Sequence, residues 1–110
     1  MSKLWVNSAD SHVLEPLDLW KQALTADMAE RAPWTERADG RETVYVDGQV
    51  MRRDPISFSD AMRPPGAEDV TIRMKDLDDQ GVWAEVVFPS RGFWISNMTD
   101  PVLARECSRA

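Results

Sequence analysis

Apolar and polar residues alternate in the first part of the chain. Because side chains two residues apart on a strand point to the same side, this alternation predicts an extended strand over residues 4–12. One face of that strand carries five residues: Leu4, Val6, Ser8, Asp10 and His12. The strand therefore begins apolar and ends polar, and its polar end holds the only histidine of the chain.

A helical period follows this strand. Four apolar residues recur at the three- and four-residue spacing of one helix face: Leu17, Trp20, Leu24 and Met28. This spacing predicts a helix of about four turns. The helix should end before Pro33, because the residue that precedes a proline disfavours the α conformation.

The middle of the chain has the composition of a hairpin followed by an irregular segment. Residues 42–51 place β-branched and aromatic residues on both sides of Asp47-Gly48, a dipeptide typical of a type I′ turn. Residues 52–68 are rich in proline, which predicts a loop without a long helix or strand. Residues 33–68 are therefore expected to form an excursion from the main fold, with the hairpin inside it.

Regular elements return after this excursion. Asp69 can cap a helix that runs to Gln80, and Gly81 suits the left-handed residue after a helix. Residues 82–89 then predict a compact strand, and Asp100 with Pro101 marks the start of a last helix. The order strand, helix, excursion, helix, strand indicates an α/β fold with parallel pairing. The last helix has no stop signal, so the chain is expected to end inside an element.

Composition narrows the class of protein further. The net charge of -6 argues against nucleic acid as a partner, because phosphate binding needs clustered basic residues. The sequence has no apolar run long enough for a membrane span and no signal-peptide core near its start, so we expect a cytoplasmic protein without a membrane partner. The single cysteine, Cys107, excludes an internal disulfide and is expected to be a small helix residue.

The stretch Asp10-Ser11-His12 is the first candidate for chemistry. At this spacing on a strand, a carboxylate and an imidazole can reach one divalent metal ion together. The competing interpretation, which the spacing alone favours, is that Asp10 caps a turn while His12 makes an ordinary hydrogen bond near the surface. With one histidine in the chain, further ligands would have to be carboxylates such as Glu15 or Glu85.

Three other groups have simpler interpretations. Glu15 can cap the following helix or support the metal ligands from behind, and the first role is favoured. Ser11 lacks the surroundings of a serine nucleophile. The acidic cluster Asp76, Asp78 and Asp79 lacks the spacing of a calcium loop and is expected to be a solvated helix face.

Three segments resemble one enzyme family. Residues 8–20, SADSHVLEPLDLW, resemble the opening of the amidohydrolase-related (amidohydrolase 2) proteins, the group that includes aminocarboxymuconate semialdehyde decarboxylase-like enzymes. Residues 73–89, RMKDLDDQGVWAEVVFP, look like that group's first helix and second strand, and residues 99–110 like the start of its next helix. Together the segments cover most of the chain outside residues 33–68, a region that varies in the family.

The resemblance implies a metal-dependent (β/α)₈ TIM barrel with a small-molecule substrate. In the family a metal-ligand pair ends the first strand, often His-x-His and with an acidic first member in many decarboxylase-like proteins; Asp10 and His12 match these positions. The expected cofactor is a divalent metal, zinc first and manganese second. The reaction implied is hydrolysis of a C–N or C–O bond or a non-oxidative decarboxylation.

Size limits what this chain is expected to do. A barrel of this type takes roughly 250 residues, so the 110 residues of this chain correspond to an N-terminal portion with two strands and their helices. We therefore expect a fragment that is inactive by itself and inclined to associate, including as a homo-oligomer. The alternative is a small non-catalytic α/β module that self-associates or binds a protein partner through its tryptophan-rich surfaces.

Overall fold

The computed structural model describes residues 4–110, and within that range the chain forms two sheets and several short helices. Five strands, β1 to β5, run over Val6–Val13, Trp34–Ala38, Arg41–Val46, Gln49–Pro55 and Val82–Pro89. Five α-helices, α1 to α5, run over Leu19–Ala23, Ala26–Arg31, Ile56–Ala61, Val70–Gln80 and Pro101–Arg109. Short 3₁₀ helices cover Pro65–Ala67 and Gly92–Asn97.

The first and last strands form a parallel pair, as the order of elements predicts. β1 runs beside β5 with His12 opposite Phe88 and Val13 opposite Pro89, so both strands end at the same edge. The register is irregular between Ser8 and Ser11, whose hydroxyl oxygens lie 2.7 Å apart. The strand predicted over residues 4–12 is therefore confirmed, but its strict alternation is broken in the middle.

The excursion forms a separate antiparallel sheet in the order β2-β3-β4. Both of its turns have an aspartate followed by a glycine with positive φ angles, 52° and 72° at Asp39-Gly40 and 50° and 74° at Asp47-Gly48. Positive φ at both central residues is the type I′ conformation, which suits the twist of a hairpin. The hairpin predicted at residues 42–51 is confirmed, and the earlier turn with strand β2 was not predicted.

One prediction about a helix is wrong, and the segment predicted to lack a long helix or strand holds short elements. The single four-turn helix is divided into α1 and α2, because Leu24 and the β-branched Thr25 are extended (ψ 162° and 155°). This break lets apolar residues of both helices pack against one core. The irregular segment 52–68 instead contains the end of β4 and the helix α3, which begins directly after Pro55.

The main hydrophobic core lies between the two short helices and α5. Its buried members are Trp20, Ala32, Leu103 and Cys107. The indole Nε1 of Trp20 donates a hydrogen bond to the carbonyl of Cys107 at 3.0 Å. Cys107 is therefore a buried helix residue, as predicted, and burial raises the pKa of its thiol.

The helix boundaries on either side of β5 agree with their predicted signals. The Asp69 carboxylate accepts hydrogen bonds from two backbone amides at the start of α4, and Gly81 ends this helix with φ 75°. The Asp100 carboxylate caps α5 in the same way, with Pro101 at the first helical position. These caps fix both ends of α4 and the start of α5.

The fold is mixed α/β, with a two-stranded parallel sheet and a separate three-stranded antiparallel sheet. Within residues 4–110 neither sheet closes into a barrel. Large apolar side chains on the parallel strands are exposed: Val6, Trp83, Val86, Val87 and Phe88. In the same part of the chain, no helix combines the length and apolar character that crossing a membrane requires.

Candidate functional site

Asp10 and His12 lie side by side at the carboxyl end of β1. The His12 Nε2 atom is 3.4 Å from Asp10 Oδ1, and the Asp10 and His12 side chains are 85% and 51% exposed. The ring of His12 also rests beside that of Phe88, with 5.8 Å between centroids. The two side chains therefore share one side of the strand, as their spacing predicts.

The second ring nitrogen of His12 faces the neighbouring strand. Nδ1 lies 3.4 Å from the carbonyl oxygen of Pro89, the last residue of β5. Since a carbonyl oxygen only accepts, a proton on Nδ1 suits this contact and leaves the lone pair of a neutral imidazole on Nε2. That lone pair then faces the Asp10 carboxylate, so a proton or a cation between the two groups is needed for attraction.

The spacing of the two groups fits a shared metal ion. Two ligand atoms bound at about 2.0–2.1 Å to a tetrahedral ion lie about 3.4 Å apart. The observed separation of Nε2 and Oδ1 is 3.4 Å. Carboxylate oxygen and imidazole nitrogen are donors that zinc and manganese both accept. The same separation also lies within the range of a direct ion pair between a protonated His12 and Asp10, so the distance alone fits both a shared metal ion and an ion pair.

A third protein ligand is not assembled beside this pair. Within residues 4–110 no group of three or more histidine, cysteine, aspartate or glutamate side chains is arranged to hold a metal ion. Glu15 and Glu85, the carboxylates considered as further ligands, each make other contacts. Asp10 and His12 therefore fit two positions of a metal site in this structure.

Glu15 binds the turn that follows β5. Its Oε1 accepts hydrogen bonds from the amides of Ser90 at 3.1 Å and Gly92 at 2.8 Å, and its Oε2 accepts one from the amide of Arg91 at 2.8 Å. The carbonyl of Glu15 in turn accepts from the Arg91 guanidinium. The favoured role as a cap of α1 is not seen, because α1 has no side-chain cap among the described residues. Glu15 instead ties the two segments that follow the parallel strands.

Gly92 leaves room for this contact. A Cβ atom added there would lie 3.0 Å from Glu15 Oε1 and 3.1 Å from Pro89 Cβ, both tighter than ordinary contacts. The close approach explains why glycine suits this position. The carboxyl edge of the parallel pair is thus closely packed around the Glu15 carboxylate.

Glu85 is bound by Arg73 of α4. The guanidinium donates from Nε at 2.6 Å and from Nη2 at 2.8 Å to the two carboxylate oxygens. This two-point pair lowers the pKa of Glu85, with a smaller contribution from Ser11. Both Glu85 oxygens thus accept hydrogen bonds from Arg73, and Glu85 is not a third ligand beside Asp10 and His12.

Arg73 also reaches the backbone of two other segments. Its Nη1 donates to the carbonyl of His12 at 3.1 Å and to that of Gly66 at 3.2 Å. A Cβ at Gly66 would lie 2.7 Å from Asp76 Oδ2 and 3.3 Å from Arg73 Cα, so the 3₁₀ turn can approach α4 this closely only without a side chain. Arg73 thereby fixes the backbone at His12 itself.

The sequence did not single out Arg73 or Arg91 as important residues. Both lie in or next to a segment that resembles an enzyme family, but their partners are distant in sequence or are backbone carbonyls, which no residue pattern reveals. Comparison of the chain with protein-family models and with curated proteins found no match.

The Arg73–Glu85 pair makes stability depend on pH. The pKa of Glu85 is lowered in the folded state, so this contribution is complete above the ordinary glutamate pKa of about 4.3 and is lost as the pH falls through the lower folded value. We expect Glu85→Gln to destabilise the protein at neutral pH by about 1–3 kcal/mol and to reduce the loss of stability on acidification. Denaturant unfolding between neutral and acidic pH measures both effects.

Glu30→Gln is the matched control, because Glu30 is an exposed residue of α2. This variant should keep the stability and the pH dependence of the unchanged protein. An acid-dependent loss of stability in Glu85→Gln equal to that of the unchanged protein would contradict the role assigned to the pair.

Proposed function

We propose that this chain supplies the first metal ligands of a metal-dependent enzyme of the amidohydrolase-related class. Asp10 and His12 are the ligands, and zinc or manganese is the metal. The single observation that carries the proposal is the 3.4 Å separation of Nε2 and Oδ1 at the carboxyl end of a parallel strand. Active sites of (β/α)₈ barrels lie at this end of their strands.

The arrangement of the parallel pair supports the same proposal. β1 and β5 carry exposed large apolar residues, among them Trp83 at 76% exposure. Burial of such surface is a main source of folding stability, so these strands are suited to being covered by further elements. In the proposed enzyme, the remaining strands of a (β/α)₈ barrel cover them and bring the other metal ligands.

Each residue at the carboxyl edge then has a defined task. Asp10 and His12 hold the ion, and the Pro89 carbonyl orients the His12 ring through Nδ1. Glu15 positions the segment after β5, and Arg73 positions the backbone of His12. When bound, a divalent ion supplies Lewis acidity and lowers the pKa of a coordinated water.

The reaction class follows the resemblance of residues 8–20 and 73–89 to the amidohydrolase-related family. The proposed substrate is a small molecule, and the reaction is either hydrolysis of a C–N or C–O bond or a non-oxidative decarboxylation. Catalytic zinc sites usually have three protein ligands, and His12 is the only histidine of these 110 residues. We therefore propose that the 110-residue chain alone binds metal weakly and does not turn over substrate.

The single histidine makes the metal proposal directly testable by NMR. Manganese bound at the site should broaden the imidazole signals of His12 selectively, because paramagnetic broadening falls steeply with distance. In Asp10→Ala, the manganese concentration needed for the same broadening should rise about tenfold, since one charged ligand is lost. A titration of the purified chain with manganese, followed by displacement with zinc, measures this.

Asp78→Ala is the matched control, because it removes the same charge from an exposed position on α4. It should leave the broadening of His12 unchanged. Broadening that is equal in Asp10→Ala and Asp78→Ala, or absent from His12 altogether, would overturn the proposal.

The exposed apolar surface also favours a second candidate, a non-catalytic module that self-associates. In this case Trp83 would lie in the contact between copies. Sedimentation velocity should then show a concentration-dependent oligomer that Trp83→Gln dissociates. Phe93→Gln, at another exposed aromatic residue, serves as the control and should leave the oligomer intact. A monomer at all concentrations would exclude this candidate.

A further inference from the structure

A cavity lies between the antiparallel sheet and the segment after β5. It has a volume of about 120 Å³. Its lining combines positive, negative and apolar groups from four parts of the fold, including Leu14, Glu42, Arg52, Arg63, Arg91 and Trp94. Leu14 follows β1 and Arg91 follows β5, so the cavity borders the edge of the parallel pair at which Asp10 and His12 lie.

Arg91 is an unusual member of this lining because it is buried and has an unused donor. It is 5% exposed, and its Nη2 atom has no hydrogen-bond partner among residues 4–110. Its Nη1 is held by the carbonyl of Glu15. An unpaired donor of a buried charged group costs free energy unless a ligand or a water molecule accepts from it.

Three nearby carboxylates are already engaged by other groups. Glu42 accepts from Arg37 Nε at 2.7 Å on one oxygen and from Arg63 Nη2 at 2.7 Å on the other. Asp54 is paired with Arg52, and the Glu15 carboxylate is bound by three backbone amides. The Arg91 side chain therefore keeps a free donor although acidic groups surround it.

Arg63 adds a second positive charge beside Arg91. Burial lowers the pKa of Arg91 and the neighbouring Arg63 guanidinium lowers it further, while the nearby carboxylates of Glu15, Glu42 and Glu68 raise it. Two guanidinium groups close together in a cavity repel each other, because the interior screens charge less than water does. Glu42 already offsets part of the charge of Arg63, so an anion bound between the two guanidinium groups would gain most from Arg91, whose Nη2 has no acceptor among the described residues.

We propose that the cavity is a subsite for a small oxyanion, the carboxylate or phosphate group of a ligand, bound by Arg63 and by the free Nη2 of Arg91. The planar guanidinium fork matches the oxygens of both groups. A volume of about 120 Å³ is well below the roughly 300 Å³ at which pockets begin to enclose whole drug-sized ligands. The cavity therefore takes one anionic group and leaves the rest of the ligand outside.

This subsite goes beyond the proposed metal function and does not require a metal. If both hold, the ligand of the carboxyl edge is a small anionic molecule. The two claims fail separately, because anion binding is measured on the metal-free chain. Asp10→Ala should weaken the selective manganese broadening of His12 and leave anion binding unchanged.

The test is a titration of the metal-free chain with sodium acetate and with sodium phosphate, against sodium chloride at equal ionic strength. The amide of Arg91 and the indole N–H of Trp94 should shift in a saturable way with at least one oxyanion. Tighter binding of acetate identifies a carboxylate site, and tighter binding of phosphate identifies a phosphate site. Shifts that do not saturate, or that chloride reproduces, would show that water fills the cavity and would overturn the proposal.

Two variants and one control connect the binding to these residues. Arg63→Gln should weaken it at least tenfold, because it removes a charged donor. Met62→Trp, at an exposed residue of the lining, should also weaken it by narrowing the cavity while every charge remains. Arg105→Gln removes the same charge from exposed α5 and should have no effect. Unchanged affinity in Met62→Trp and in a folded Arg63→Gln would contradict the assignment.

Discussion

The bidentate pair between Arg73 and Glu85 is the interaction on which the parallel half of the structure depends. From one position on α4, the guanidinium contacts the side chain of a residue in β5, the backbone of β1 at His12 and the 3₁₀ turn at Gly66. Two adjacent strands alone give a marginal sheet. Arg73 adds an ion pair and hydrogen bonds that link both strands to α4. It also fixes the backbone of β1 at His12.

Glu15 makes a complementary connection at the carboxyl edge. It joins the segment after β1 to the segment after β5 through three amides. As a result, Arg73 fixes the backbone at His12, and Glu15 fixes the turn that carries Arg91. The same edge therefore carries the proposed ligand pair for a cation and a buried guanidinium with a free donor, an arrangement that suits the proposed small anionic ligand near a metal ion.

The sequence predicted the elements whose signals are local. Asp69 with Gly81, Asp100 with Pro101 and the turn at Asp47-Gly48 use rules that act within a few residues, and each is confirmed. The prediction of one undivided helix around Leu24 was wrong. Packing against α5 favours two short helices, although the helical spacing of apolar residues continues across the break. The turn at Asp39-Gly40 carries the same dipeptide signal as the predicted turn and could have been recognised.

The candidate site was predictable only in part. The two-residue spacing of Asp10 and His12 predicts that their side chains lie on the same side of the strand, because alternate side chains of a strand point to the same face. Glu15 contacts amides that lie 75 to 77 positions away in the sequence, and Glu85 contacts an arginine 12 positions away. Many other polar residues could have been their partners. Residue type suggested that Glu15 caps a helix; tertiary structure instead places its carboxylate against the amides of a distant turn.

The central claim is that Asp10 and His12 form one cation site. Crystals of the chain soaked in manganese or zinc test it most directly, through an anomalous difference map. We expect a peak within bonding distance of both Asp10 Oδ1 and His12 Nε2. Peaks confined to other carboxylates, with none between these two atoms, would contradict it.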